Sequence, residues 1–364
     1  MLSARELLSR AGGLSDSVRM VDEILRAGLL SHASDVHLDP FADGVRVRFR
    51  IDGILEEVMR IPQSMQSAVT SRLKVLAALD IAERRAPQDG GFSWRMAAGG
   101  GFSPLDVRMA TLPVRHGERI TLRLLEAGGK RFGIDELGMN AADLAVVEEV
   151  LRRPHGMVLL TGPTGSGKTT TLYAAIQELL KNGSPNIITV EDPVEYEMPG
   201  IAQAEVDSSD KVNFKKALKS ILRHDPDVVM IGEIRDGDSL DAAVKAALTG
   251  HLVLSTLHTN DAKSAVTRLV DMGLEESLVS ATVRLVVAQR LVRRLCPSCR
   301  EKDGGSWKSR GCPECAGRGF WGRTGLFELF SPESGLSTSM ADDAREKVAA
   351  GVTTAAEVAR VAGE

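Results

Sequence analysis

The sequence predicts an α/β protein: a mostly parallel sheet covered by helices on both faces, preceded by a smaller α+β domain. Three observations predict it. The stretch GPTGSGKTTT, Gly162 to Thr171, has the complete form G-x-x-x-x-G-K-[ST] of a phosphate-binding loop. It stands between a short apolar run, Met157 to Leu160, and the helically spaced Leu172, Ile176, Leu179 and Leu180. Apolar runs then recur between helical stretches, at Met157 to Leu160, Ile187 to Val190, Val228 to Ile231 and Leu252 to Leu254, as buried parallel strands do. Ahead of them, alternating segments carry apolar residues on one face and arginine on the other, the period of half-buried strands.

A chain of 364 residues is long enough for two or three domains, and 43% hydrophobic residues give each a core. A net charge of −4 and 4% aromatic residues supply neither the basic footprint nor the stacking platforms of nucleic-acid binders, so no nucleic-acid partner is expected. No run approaches the roughly 18 apolar residues of a membrane span, and the opening MLSARELLSRAGG has charges where a signal peptide needs an apolar core. A cytoplasmic location is expected. All four cysteines fall in two C-x-x-C pairs, which in a reducing compartment point to a metal rather than to disulfides.

Residues 1–30 read as a helix with Val18, Val21, Ile24, Leu25 and Leu29 along one face; that face lacks Lys, Trp and Phe, so it packs on its own domain rather than in a membrane. Val45, Val47, Phe49 and Ile51 alternate with Arg46, Arg48 and Arg50 in a strand that Asp52-Gly53 turns into a hairpin. Ile61-Pro62 opens a helix over Gln63 to Leu79, and Gly90 to Gly101 reads as a glycine-rich connection. In two further strands Arg108 alternates with Val107 and Met109, and Arg119, Thr121 and Arg123 alternate with Ile120, Leu122 and Leu124. The ordinary state of such arginines is a solvated surface; alignment toward a phosphate is the alternative.

The glycines of Glu126 to Gly133 mark a hinge. The divisions expected are an N-terminal α+β domain over 1–127, a linker over 128–133, a nucleotide-binding domain over 134–294, a cysteine module over 295–330 and a helical tail over 331–364. A helix is expected from Glu275 to Arg294, a strand or helix edge at Phe327 to Phe330, and tail helices separated by Gly351-Val352-Thr353.

Ligands of such sheets sit at the carboxyl ends of the strands, and here each apolar run ends in chemically useful residues. In the loop, Gly162, Pro163, Thr164, Gly165, Ser166 and Gly167 curl backbone N–H groups around the phosphates of ATP. Lys168 reaches the terminal phosphates, and Thr169, followed by Thr170, offers a hydroxyl to Mg²⁺. VVMIGE, Val228 to Glu233, is a Walker B strand whose Glu233 activates or positions the attacking water. Glu191, with Asp192 and Glu195, offers carboxylates for Mg²⁺ and water. His251 and His258 flank the fourth run; His258 is read as a γ-phosphate contact, and His251 is left open between a structural and a functional role. Cys296, Cys299, Cys312 and Cys315, with 12 residues between the pairs, have the spacing of a closed, structural zinc site.

ITVEDPVEY (Ile188 to Tyr196), IGEIRD (Ile231 to Asp236) and TGHLVLSTLHTND (Thr249 to Asp261) resemble the Asp box, Walker B and His box of the secretion ATPase superfamily, the hexameric motors of type II secretion and type IV pilus assembly. SDVHLDPF (Ser34 to Phe41), VRFRIDG (Val47 to Gly53), RMATLP (Arg108 to Pro113) and GERITLRLL (Gly117 to Leu125) resemble the N-terminal domain of that family. The likeness runs from about Ser34 to Phe330. It implies a RecA-like P-loop domain behind a PAS-like α+β domain, Mg²⁺-dependent ATP hydrolysis and a homo-hexamer. The implied partners are cytoplasmic domains of an inner-membrane platform, through which the motor associates peripherally with the membrane.

The same resemblance implies that Arg108 and Arg123 approach the phosphates from the N-terminal domain, a role it does not extend to Arg46, Arg48 or Arg50. The cysteine module is usual in assembly and secretion motors and lacking in retraction motors. Two departures are a short loop between the cysteine pairs and no additional N-terminal domain ahead of the one described. The rival readings are a RecA-like nucleic-acid translocase, a retraction motor and a nucleotide-gated scaffold. Composition weighs against the first, the cysteines against the second, and Glu233 with His258 against the third. Secretion, pilus assembly and DNA uptake would share this engine.

Overall fold

The computed structural model describes residues 16–95, 105–126, 131–206 and 214–362. The chain divides into two compact units, Met1–Lys130 and Arg131–Glu364. Residues 1–15 of the expected first helix, the glycines after residue 95 and the hinge residues Gly128 and Gly129 lie outside the described residues.

In the first unit α1 (Ser17–Leu30) starts where the Asp16 side chain accepts the Val18 N–H, and it buries Met20, Val21, Ile24, Leu25 and Leu29. Val18, expected on that face, is exposed. Then come β1 (Ala33–Phe41), β2 (Gly44–Ile51), β3 (Ile54–Ile61), α2 (Gln63–Leu76), β4 (Gln88–Trp94), β5 (Leu105–Val114) and β6 (Gly117–Glu126). The strands form an antiparallel sheet in the order β3-β2-β1-β6-β5-β4. Val36, Leu38, Val47, Phe49, Val107, Met109, Ile120 and Leu122 share one core with α1 and α2, as strand alternation requires.

The expected connection at Gly90 is instead part of β4. A Cβ on Gly90 would lie 2.7 Å from the Ala77 carbonyl oxygen and 2.8 Å from a Leu79 methyl. Only glycine lets this strand pass so close to the end of α2, and glycine is the residue that hides a strand from its periodicity.

The polar face of the sheet is a ladder of alternating charge rather than a bare row of arginines. Asp39 of β1 receives Arg48 at 2.8 Å and Arg119 at 2.9 Å, and Asp35 receives Arg123 at 3.2 Å and Arg50 at 3.8 Å. Arg108 stands directly opposite Arg123 across the β5–β6 pairing.

The second unit contains α3 (Ala141–Leu151), β7 (Gly156–Thr161), α4 (Lys168–Lys181), β8 (Ile187–Glu191), β9 (Ala202–Glu205), α5 (Phe214–Ile221), β10 (Val228–Ile231), α6 (Gly237–Leu248) and β11 (Leu252–Thr256). After these follow α7 (Ala262–Asp271), α8 (Glu276–Thr282), β12 (Val283–Leu295), β13 (Arg300–Asp303), β14 (Ser306–Ser309), β15 (Phe320–Phe330), α9 (Met340–Ala349) and α10 (Ala355–Ala362). Its main sheet has the order β15-β12-β7-β11-β10-β8-β9, parallel throughout except where β15 runs against β12. Alternate residues of each strand enter separate cores: Met157, Leu159, Val229, Ile231 and Val253 one, Val158, Leu160, Val228, Met230 and Leu254 the other. Both faces are therefore dry, which is why these segments read as unbroken apolar runs.

The helix expected over Glu275 to Arg294 stops at Thr282, and the chain continues as β12 between β7 and β15. Val283, Val286 and Ala288 enter one core and Leu285 and Val287 the other, with a bulge between Val283 and Leu285. A segment buried on both sides has no polar face to reveal its period. The cysteine module is tied to the tail: Leu295 N–H donates to Val352 O at 2.9 Å, Arg300 to Gly351 O at 2.8 Å and Trp307 Nε1 to Ala349 O at 3.0 Å.

Candidate nucleotide and metal sites

β7 delivers the chain into the phosphate-binding loop, and α4 leaves it with its N-terminus facing the loop. A Cβ on Gly162, at φ +140°, would sit 2.4 Å from Gln289 O, so this first position of the loop demands glycine. Lys168 is largely buried; its Nζ donates to Gly162 O at 2.7 Å and Pro163 O at 3.2 Å. Burial lowers its ammonium pKa, the nearby Glu233 carboxylate opposes that, and Arg290 adds to it. Ser166 Oγ is buried without a hydrogen-bond partner. Pro163, Thr164, Gly165, Thr169 and Thr170 are open to solvent along the rim. An unsatisfied buried hydroxyl, a lysine resting on loop carbonyls and exposed hydroxyls at a helix start fit a phosphate chain with its cation.

The neighbouring strands bring a second set of groups to the same end of the sheet. Glu233, just beyond β10, pairs with Arg235, and its other oxygen lies 3.2 Å from His258 Nε2, just beyond β11. Burial would raise the Glu233 carboxyl, but the hydrogen bond and charge of Arg235, with His258 behind them, hold it below its usual value. Arg235 also reaches Asp192 at 3.2 Å. Glu233, Arg235, Leu257, His258 and Arg268 line a cavity of about 430 Å³. The His258 segment is fastened to β7 by Thr161 and Thr259, whose hydroxyls lie 2.7 Å apart.

Glu191 departs from expectation. It reaches the carboxyl end of β8, yet its side chain turns inward, where it accepts from Thr189 Oγ1 at 2.6 Å, Gln203 Nε2 at 3.2 Å and the Tyr173 hydroxyl. Burial, and then this carboxylate, push the Tyr173 phenol pKa upward. A carboxylate closed inside such a network is not placed to hold Mg²⁺ or water; the exposed Asp192 is the one joined to Glu233 through Arg235. His251 sits at the opposite end of β11, with Nδ1 2.9 Å from Ala246 O and 3.1 Å from Thr249 Oγ1, closing the end of α6.

The sulfur atoms of Cys296, Cys299, Cys312 and Cys315 all lie within 4.8 Å of one another. Cys315 Sγ accepts N–H groups from Cys312 and Gly319, both at 3.2 Å, so a thiolate is favoured at that position. The four thiols form a cluster fit to hold a metal ion.

A family profile described as "Type II/IV secretion system protein" matches residues 11–362. The chain belongs to this family of secretion ATPases. The type II secretion system protein HxcR of Pseudomonas aeruginosa is 47% identical over 365 residues, covering 94% of this chain and 77% of that one. The type IV pilus assembly ATPase PilB of Myxococcus xanthus is 45% identical over 350 residues, covering 90% and 61% respectively. Among solved structures, that of the Legionella pneumophila ATPase DotB matches with a TM-score of 0.72 and covers 95% of both chains at 20% identity, a likeness of fold.

Membership of a secretion ATPase family implies a nucleotide, and the 162–170 loop, with the Glu233 carboxylate near Lys168 and His258 beside Glu233, is the candidate site for it. No helix among the described residues is long and apolar enough to cross a membrane. The sequence does not single out Arg235, although it lies inside IGEIRD, nor Gln289, which meets Gly162 and Gly167 of the loop from β12, nor Arg290 beside it on the opposite face of that strand. The signal for Arg235 is an arginine two residues from a strand-end glutamate; Arg290 is one of four arginines in β12 and carries no such signal.

Proposed function

We propose that this secretion ATPase hydrolyses Mg²⁺-ATP in a homo-hexameric ring. It passes the resulting domain movement to the cytoplasmic domains of an inner-membrane platform, where it resides as a peripheral cytoplasmic protein. The observation that carries the reading is the convergence of the 162–170 loop, Glu233 and His258 beyond the carboxyl ends of three adjacent strands, β7, β10 and β11. Lys168 binds the terminal phosphates, Thr169 the Mg²⁺, Glu233 the attacking water, and His258 the γ-phosphate, while Glu191 keeps the Asp-box segment in shape. Arg108 and Arg123 are assigned to the phosphates from the first unit. The chain's work serves type II secretion or type IV pilus assembly, since relatives of both kinds are similar at 47% and 45% identity.

The metal assigned to the cysteines is zinc. Tetrahedral Zn–S bonds of about 2.3 Å place the sulfurs ~3.8 Å apart, and the Cys296–Cys312, Cys299–Cys315 and Cys312–Cys315 separations are 3.8, 3.8 and 3.7 Å. The ion would be held by the four thiolates with no open position, and would supply structure rather than chemistry.

The test is an ATPase assay run in parallel with the cytoplasmic domain of a platform protein and with duplex DNA. Stimulation by the platform domain is expected. Stimulation by DNA alone would replace the motor with a translocase.

A further inference from the structure

β12 lies on the side of β7 opposite β11, and its Ala288 is level with Thr161, the last residue of β7. The next residues of β12 therefore run alongside the phosphate loop. Gln289 O and a Leu291 methyl lie 2.4 and 3.3 Å from the Cβ positions of Gly162 and Gly167, and Gln289 Oε1 accepts from Thr171 Oγ1 of α4 at 2.8 Å. Strand alternation sends Arg290 to the other face. There its Nη2 donates to Asn260 O at 3.1 Å, two residues beyond His258. Its Nη1 is buried and has no hydrogen-bond partner.

A buried donor on a charged group is the kind that proteins least often leave unmade. The Arg290 charge is also felt at Lys168, so two cations address the same region, one of them with a vacant donor. Glu233 and His258 stand beside the loop on the β10–β11 side, while the Arg290 guanidinium reaches, from β12, the Asn260 carbonyl next to Thr259, whose hydroxyl meets that of Thr161 directly before the loop.

We propose that Arg290 is a second cation of the phosphate site: Nη1 takes an oxygen of the terminal phosphate of bound ATP, while Nη2 keeps the loop that carries His258 in place. The inference rests on the reading of the 162–170 loop as an ATP site. Loss of the γ-phosphate leaves Nη1 without its acceptor and loosens the Arg290–Asn260 tie, so the His258 loop senses which nucleotide is bound.

The test uses the full chain as wild type, Arg290→Gln and Arg290→Lys. It measures affinity for ADP and for a non-hydrolysable ATP analogue, together with kcat and the thermal unfolding midpoint. A charge-assisted hydrogen bond made only to the terminal phosphate predicts that Arg290→Gln weakens the analogue about 10-fold, leaves ADP within about 2-fold and lowers kcat. Arg290→Lys, which keeps the charge but loses the fork, should recover part of the preference for the analogue. Equal weakening of both nucleotides, or of neither, makes Arg290 a structural prop and overturns the proposal. If Arg290→Gln fails to fold, the affinity ratio in Arg290→Lys decides by the same criterion. A wild-type protein that binds neither nucleotide overturns the ATP-site reading itself.

Discussion

Glu233 is held ionised by Arg235 and His258, and an ionised carboxylate with one oxygen on a histidine is suited to orient water rather than to bind phosphate. Glu233→Gln should therefore retain ATP binding and lose turnover by about 10² to 10⁴, whereas Lys168→Ala should lose tight binding outright. Nucleotide affinity and single-turnover hydrolysis separate the two, and near-normal hydrolysis by Glu233→Gln would remove that residue from the mechanism. The loop and Glu233 were legible in the sequence because their chemistry is tied to fixed spacing. Glu191 was not: a strand-end carboxylate looks the same in sequence whether it faces solvent or, as here, turns into a network with Tyr173, Thr189 and Gln203.

The central strands of the second unit were legible because each is short, apolar and bounded by chemistry. β4 and β12 were not, for opposite reasons: glycine erases the alternation of β4, and burial on both faces erases that of β12. Small hairpins such as β13–β14 leave no signal in the hydrophobic pattern, since the flanking cysteine cluster and the ties of Arg300 and Trp307 to the tail, rather than a core, position them. Protein purified without chelators should carry close to one zinc per chain by elemental analysis. Cys296→Ser or Cys312→Ser should cost the module about 4 kcal/mol. The loss should spread to α9 and α10, because Leu295, Arg300 and Trp307 tie the module to residues 349–352. ATP affinity should remain within about threefold, since the cysteines take no part in the nucleotide site. Zinc-free protein that unfolds at the same temperature as the parent would defeat the assignment.

In the mechanism proposed above, coupling between the units is assigned to Arg108 and Arg123, which belong to the first unit while the 162–170 loop belongs to the second. The two arginines are cross-strand neighbours, and Arg123 is held at 3.2 Å by Asp35, which has Arg50 as a second partner. Asp35 is buried, but the Arg123 guanidinium side chain is 58% exposed, so solvent screens its end of the pair and a better anion can draw it away. A guanidinium that meets the γ-phosphate only in a closed state stabilises the transition state, typically by ~10³ to 10⁵ in rate. Arg108→Ala and Arg123→Ala should therefore lower kcat by about 10³ and weaken ATP binding far less. Arg46→Ala is the control: it removes a guanidinium that stacks on Phe41 at 4.0 Å and should leave turnover near the parent value. Closure that delivers the arginines is also the proposed working stroke, so the two mutants should lose platform-dependent stimulation along with the basal rate. Were all three variants to hydrolyse ATP alike, within about threefold of the parent, the arginines would be ordinary members of the charge ladder. The stroke would then have to be transmitted by another route.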